Sequence, residues 1–432
     1  MIAGEHLFDA KSCIATRGVS LGYGEPAPQD VTGFARATRA QVTAAGRKDL
    51  SEEPADYSMK KMENLSAIDL FCGCGGISSG LRRAGLDVIA GLDMWEDALE
   101  TYANNFRKSL TIKADLAQLS TRAFMREVGL RKGELFLLAG GPPCQGFSKN
   151  VPRKNRFLED PRNLLVNSFL DYAEALRPQV VLMENVAEFK NGFDQAFTEE
   201  IENRLGGLGY HVHHAVLTAH EYGVPQRRRR AFFLATKEKI TQPFPRATHG
   251  DAAAAPSLFP LAPFVTVWNA IGDLPSLKHG ESYENKPYRR KAFSEFQTRV
   301  RGSNDLIMNH VARKLQATQY ARLSSIEPGQ GIKNLPHHLR PKGGYSGAYG
   351  RLTKEMIAPT ITRWVFHPGS GRYGHPVDLR LITMREAARL QGFPDDFVFA
   401  GTYIQQAHQI GNAVPPLLVE VITGHLLRQM RS

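Results

Sequence analysis

The chain has little cysteine, little tryptophan and no long apolar run. Four cysteines in 432 residues are too few for a disulfide framework. Cys72 and Cys74 form only a C-x-C pair and Cys13 is remote, which falls short of the ligand set a zinc site takes. No metal is therefore expected, and so few thiols suit a reducing compartment. No stretch approaches the ~20 consecutive apolar residues of a bilayer-spanning helix, so no membrane role is expected. A charged-then-apolar leader is missing, and Glu5, Asp9, Glu25 and Asp30 argue against a transit peptide. With 42% hydrophobic and 22% charged residues, the expectation is a globular cytoplasmic protein with core enough for two domains.

Acids are also in short supply. Lys and Arg number 54 against 43 Asp and Glu, a net charge of +11. The excess is concentrated: Ser276–Arg351 carries 14 Lys and Arg but 5 Asp and Glu. Tyr, His, Gly and Asn are interleaved there. A solvated basic surface is the bland explanation, and a polyanionic partner is the favoured one.

Residues 1–60 are rich in Ala, Thr, Gly and Arg and show no sustained period. They are expected to be a disordered extension or the product of a misassigned start, with the folded unit beginning near Met59. From Leu65 strands and helices alternate. Leu65–Phe71, Asp87–Leu92, Leu135–Ala139, Gln179–Met183, His211–Leu217 and Ala231–Ala235 read as strands. Gly76–Ala84, Asp97–Phe106, Leu116–Val128, Asn163–Leu176 and Phe193–Leu208 read as helices. Such alternation predicts an α/β fold, a doubly wound, mostly parallel sheet with helices on both faces. Its ligands belong at the carboxyl ends of the strands. The rhythm breaks after Pro243. A catalytic and cofactor-binding domain over 61–243, a smaller irregular basic domain over 244–380, and a return segment over 381–432 are expected. Pro415-Pro416 opens a last helix, with Leu418, Val421, Ile422 and Leu426 on one face.

Asp69-Leu70-Phe71-Cys72-Gly73-Cys74-Gly75-Gly76 ends the first strand and opens a helix. Its glycines let backbone approach a ligand, although such a turn alone is weak evidence. Asp93, at the end of the second strand, can accept ribose hydroxyls. Asp115 ends a third strand and can accept an adenine amino hydrogen, or simply cap the helix that follows. Together they favour an adenosine-containing cofactor, and spacing does not separate a dinucleotide from S-adenosylmethionine.

Cys144 follows the fourth strand in Gly140-Gly141-Pro142-Pro143-Cys144-Gln145-Gly146-Phe147-Ser148. A free Cys is most often a buried structural thiol. Here a Pro-Pro turn presents it, and Lys149, Arg153, Lys154 and Arg156 follow, which favours the thiolate. Glu184 ends the fifth strand and suits a general acid if burial raises its pKa; a helix cap is the plain alternative. In Gln226-Arg227-Arg228-Arg229-Arg230, an extended chain puts Arg228 and Arg230 on one face and Arg227 and Arg229 on the other. One pair can face the site while the other meets solvent.

These segments, with Arg380–Pro394 and Gln409–Pro415, occur in an order that resembles the bacterial-type DNA cytosine-5 methyltransferases over about Leu65–Val421. The resemblance implies the Rossmann-like fold of S-adenosylmethionine-dependent methyltransferases with a smaller target-recognition domain. It implies that Phe71, Gly73, Gly75, Gly76, Asp93, Asp115 and Asn412 bind S-adenosyl-L-methionine. It makes Cys144 the nucleophile towards carbon 6 of a flipped-out cytosine, Glu184 the contact at N3, and Arg228 and Arg230 the steadying cations. Gly146–Arg162 would be a lid. Double-stranded DNA is the implied partner of a monomer associated with the nucleoid while it acts, and a restriction endonuclease the implied partner in function. Asp93 stands where Glu is commoner, Met94 where an aromatic often stacks on adenine, and Arg229 where an acid is frequent. A tRNA cytosine-5 methyltransferase is the alternative enzyme, but its Cys-Phe-Thr signature is missing. A non-catalytic DNA-binding regulator is the alternative from another class, and a Rossmann oxidoreductase is more distant.

Overall fold

The structure is a computed structural model that describes residues 65–143, 164–190, 195–251, 260–344 and 346–431. The expected extension over 1–60, Cys144 and the expected lid over 146–162 lie outside the described residues.

Seven strands form one sheet in the order β3-β2-β1-β4-β5-β7-β6. They are β1 (Ser66–Leu70), β2 (Asp87–Asp93), β3 (Leu110–Lys113), β4 (Leu137–Gly140), β5 (Val180–Val186), β6 (His211–Thr218) and β7 (Arg229–Thr236). β1 to β5 pair in parallel, whereas β7 runs antiparallel to both β5 and β6. Side chains alternate between faces along each strand, and both faces are apolar. Ala67, Leu137, Val180, Leu182, Phe232 and Leu234 enter one core. Ile68, Leu138, Val181, Met183, Ala231 and Phe233 enter the other. That is the signature of a sheet covered on both sides, so the predicted doubly wound architecture is what forms.

The helices match their sequence signals with two differences. Helix α1 (Gly76–Arg83) and α2 (Glu96–Asn105) follow β1 and β2, and α4 (Leu164–Leu176) and α5 (Ala196–Gly207) follow β4 and β5. The helix predicted from Leu116 starts instead at Thr121, as α3 (Thr121–Val128). The Asp115 carboxylate closes a separate turn by accepting from Ala117 N at 3.0 Å, and Ser120 Oγ caps the helix by accepting from Ala123 N at 3.2 Å. The second difference lies near the carboxyl end. Tyr403–Gln429 is long and apolar enough to cross a membrane, although interspersed polar residues hide it from a count of consecutive apolar ones. It is two helices, α10 (Tyr403–Asn412) and α11 (Pro416–Gln429), broken by Ala413-Val414-Pro415. Leu417, Leu418, Val419, Ile422 and Leu426 of α11 are buried in the first core, as a core helix of a globular protein requires.

Between β7 and α10 the chain forms short elements, among them α6 (Val267–Ile271), α7 (Glu295–Arg301), α8 (Ala317–Ser324) and α9 (Met384–Leu390). Strands here are two residues long. Their apolar side chains, including Ile271, Leu323, Leu352 and Ile361, continue the first core. Buried charge ties them down: Arg389 bonds Asp395 at 2.6 Å and also pairs with Asp273, and Arg380 bonds Glu386 at 2.7 Å. Each guanidinium has carboxylates and carbonyls for its donors, the condition under which buried ions are tolerated.

Candidate active site

At the carboxyl ends of the parallel strands lies a cleft of about 490 Å³, a volume that suits a nucleoside-sized ligand. Of the described residues proposed for the site from the sequence, all but Gly75 line it. Phe71, Gly73, Gly76, Asp93, Asp115, Glu184, Arg228, Arg230 and Asn412 line it, with Gly141, Pro142 and Pro143.

The turn after β1 makes the cofactor end. Phe71 takes the left-handed conformation (φ 59°), as do Gly73 (φ 52°) and Gly75 (φ 100°), which turns strand into helix within five residues. A Cβ on Gly73 would meet nothing within 4 Å, so the backbone there opens onto the cleft. Gly76 lines the cleft and serves packing as well. A Cβ on it would lie 2.5 Å from Val414 O, so its bareness lets the segment before α11 close against α1. Gly75 is bare because a Cβ would strike the Phe106 ring; it packs and does not line the cleft.

Asp93 holds the turn as well as facing the cleft. Its Oδ2 accepts from Gly73 N at 2.8 Å and its Oδ1 from Trp95 N at 2.9 Å. Burial pushes its pKa up, while bonds from Trp95, Gly73 and Met94 backbone oppose the rise. Each oxygen keeps a further lone pair for a hydroxyl. Asp115 spends one oxygen on Ala117 N and the other on Gln118 Nε2, so it closes a turn beside the cleft and is not the helix cap that the sequence suggests. Met94 is 66% exposed and lines the cleft next to Trp95.

Beneath the turn, Asp69 is fully buried. Its Oδ2 accepts from Ser78 N at 3.0 Å and Ser78 Oγ at 2.7 Å, and Oδ1 has no partner. Burial pushes its pKa up to about 7 against the pull of those bonds. Burial also raises the thiols of Cys72 and Cys74, so both stay protonated and unreactive.

The other end of the cleft is charged. Glu184 sits in β5 opposite Phe232 and caps no helix. Arg230, opposite Val186, is its diagonal neighbour on the same face, with Nε 2.7 Å from Glu184 Oε1. Burial pushes the Glu184 pKa up, and Arg230 and then Arg228 pull it back. A Cβ on Gly141 would lie 3.2 Å from Glu184 Oε2, so the bare backbone of that turn makes room for the carboxylate. Arg228 is buried and serves as a strut, donating to Ile361 O at 3.0 Å and to Gly411 O at 3.2 Å. Arg227 and Arg229 are exposed, as the period-2 argument predicts.

Sequence reasoning gives Asn185 no role. It is buried, and its Nδ2 donates to Pro142 O at 3.1 Å while its Oδ1 accepts from Val186 N at 2.8 Å. It thereby ties the turn that leads to Cys144 onto the strand carrying Glu184; its position directly after Glu184 is the available signal. Arg363 also lines the cleft, and no sequence signal marks it out.

A cleft at the carboxyl ends of a parallel sheet, a glycine-rich turn after β1 and an antiparallel β7 beside β5 define the Rossmann-like fold of the S-adenosylmethionine-dependent methyltransferases. The family model for C-5 cytosine-specific DNA methylases matches residues 65–428. The chain is 33% identical over 368 residues to the type II methyltransferase M1.HphI of Haemophilus parahaemolyticus, covering 84% of this chain and 87% of that protein. It is 31% identical over 385 residues to M.DdeI of Desulfomicrobium norvegicum, covering 84% and 88%. Among solved structures, a prophage-encoded protein of E. coli, assigned as a DNA modification methyltransferase, superposes with a TM-score of 0.68. It is 27% identical, with 85% of this chain and 100% of that one covered. S. pombe Dnmt2 superposes with a TM-score of 0.55 at 19% identity, a likeness of fold alone. The chain belongs to the C-5 cytosine-specific DNA methylases and is a DNA cytosine-5 methyltransferase.

Proposed function

We propose that this enzyme transfers a methyl group from S-adenosyl-L-methionine to carbon 5 of a cytosine drawn out of duplex DNA, through a covalent bond between Cys144 and carbon 6. The observation that carries this reading is the Asn185–Pro142 bond, which tethers the turn preceding Cys144 beside the buried Glu184.

The cofactor end fits an adenosine sulfonium: Gly73 offers open backbone, and Asp93 and Asp115 keep acceptor capacity at the ends of β2 and β3. Phe71, Gly73, Gly75, Gly76, Asp93, Asp115 and Asn412 are the residues proposed for it, with Gly75 acting through packing. The bound cofactor supplies an electrophilic methyl group. Cytosine carbon 5 is too weak a nucleophile to take that methyl unaided. The Cys144 thiolate adds to carbon 6, and its electron pair pushes the ring towards an enamine whose N3 receives a proton or hydrogen bond from Glu184. Carbon 5 then attacks the methyl carbon. A base removes the carbon-5 proton, the electrons reform the 5–6 double bond, and the thiolate leaves. Covalent catalysis thus divides one hard step into easier ones. Arg230 keeps Glu184 oriented, and Arg228 holds the cleft wall. A base within the stack cannot reach this chemistry, so it must flip out, and the basic segment Ser276–Arg351 is proposed to grip the phosphates and read the sequence. The modification half of a restriction-modification pair, acting as a cytoplasmic monomer, is the proposed setting.

The test is labelled methyl transfer into duplex DNA and adduct formation with DNA containing 5-fluorocytosine, where loss of the carbon-5 substituent is blocked. Wild-type protein should do both and Cys144→Ala neither; undiminished transfer by that variant refutes the mechanism.

A further inference from the structure

Among the described residues most large aromatic side chains are buried, but Trp364 is 46% exposed. It is one of three tryptophans in the sequence. It follows Arg363, which lines the cleft, and the Arg363 guanidinium lies 5.1 Å from the centre of its ring. His408 meets it edge-on at 5.7 Å, and Phe366 lies 5.6 Å away. Positions 404, 408 and 412 fall one helical turn apart along one side of α10. Ile404 is 45% exposed, His408 abuts Trp364, and Asn412 lines the cleft. Trp364, with the edge of His408 against it, therefore forms an aromatic platform on the rim beside the site.

The platform is rigid. A Cβ on Gly411 would strike the backbone of Thr362 and Arg363, so that turn is packed hard against α10. Arg228 bonds both Ile361 O and Gly411 O from below. Its surroundings are positive: after burial, Arg363 is what lowers the His408 pKa, and Arg313 does the same to His367. Arg313 also lies 5.4 Å from the Phe366 ring centre. A flat aromatic in a cationic frame suits a nucleobase carried on a phosphate backbone.

We propose that Trp364 is a stacking platform for duplex DNA, its ring meeting a base left exposed when the target cytosine leaves the helix. This rests on the flipped-cytosine reading above. An aromatic face against an unstacked base offsets part of the cost of opening the helix.

The test is a coupling cycle on the full chain with a synthetic duplex carrying the cytosine that bisulfite sequencing identifies as methylated. Trp364→Ala should weaken duplex binding about 5- to 150-fold, the range for one base–aromatic stack, with S-adenosylmethionine affinity unchanged and Trp364→Phe recovering most of the loss. An abasic site is then placed in turn at each neighbour of the target and opposite it. At one of these positions the abasic site and Trp364→Ala together should cost no more than either alone. Wild-type affinity in Trp364→Ala, or additive losses at all positions, overturns the proposal while leaving methyl transfer intact. Absence of methyl transfer by the wild-type protein would overturn the flipped-cytosine reading and this proposal with it.

Discussion

Arg228 bonds Gly411 across 183 residues of sequence, donating from both Nη1 and Nη2 to its carbonyl oxygen at 3.2 Å. The same guanidinium reaches Ile361 O at 3.0 Å. One buried cation thus joins the entry to β7, the segment before Trp364 and the end of α10, the three pieces that wall one side of the cleft. Its charge has a cost: burial pushes its pKa well down, with Arg230 adding to the effect and Glu184 opposing it.

Arg228→Met should therefore lose stability and activity together. Two carbonyls are left without donors, at ~1–3 kcal/mol each, and relief from burying a charge offsets part of that. A net loss of about 1–3 kcal/mol is expected, read from the urea midpoint. Because the wall shifts, methyl transfer should fall further than the remaining folded fraction explains.

Glu184→Gln should leave DNA binding near wild type and lower kcat by ~10²–10⁴-fold, the usual worth of a positioned acid or base. Its pKa is raised by burial and restrained by Arg230 and Arg228. If the protonated form assists N3, kcat declines as pH rises through that elevated value. Arg230→Met removes a restraining charge, so the declining limb should move to higher pH. A kcat–pH profile of both variants checks this: Glu184→Gln should lose the limb and Arg230→Met should displace it upward.

Much of the site is legible in the sequence because the chemistry lies in short contiguous segments. The alternation of Arg227 to Arg230 follows from the two-residue period of extended chain, and burial of Arg228 beside exposed Arg227 and Arg229 is that period made visible. The start of α3 is harder to read because an acid before an apolar residue looks like a cap. Ser120, five residues on, competes for that role and wins it by bonding Ala123 N. Long-range partners carry no such signal. Nothing local pairs Arg389 with Asp273, 116 residues away, nor Thr101 Oγ1 with Gln409 Oε1 at 2.6 Å. Arg363 joins the cleft, and Trp364 its rim, only because Gly411, far along the chain, packs against the backbone of Thr362 and Arg363.

Asp69 makes stability pH-dependent in a direction opposite to an ordinary paired carboxylate. Its pKa rises from 3.8 to about 7 on folding, chiefly through burial. Between those values the folded chain holds a proton that the unfolded chain has lost, so stability falls as pH rises. The contribution is complete below about pH 3.8 and gone above about pH 7. Its ceiling is ~4 kcal/mol. Asp69→Asn keeps an acceptor for Ser78 and removes the titration. Chemical denaturation between pH 5 and 8 should show the variant gaining on wild type as pH rises; parallel curves would contradict the assignment.

Asn185 offers the sharpest separation of positioning from folding. Its side chain fastens Pro142 O and Val186 N, and neither contact touches the Gly73 and Asp93 end of the cleft. Asn185→Ala frees the turn that leads to Cys144, so the thiol spends less time in reach of carbon 6, and misplacement of this kind costs up to ~100-fold in rate. Asn185→Asp keeps the acceptor for Val186 N but sets a carboxylate against the Pro142 carbonyl, and should be slower still. S-adenosylmethionine affinity should stay constant across the series. The decisive readout is the rate of adduct formation with 5-fluorocytosine DNA per folded molecule. A strut that only holds the fold together would lower the melting temperature and leave that rate unchanged, whereas a positioning residue lowers the rate in the order wild type, alanine, aspartate.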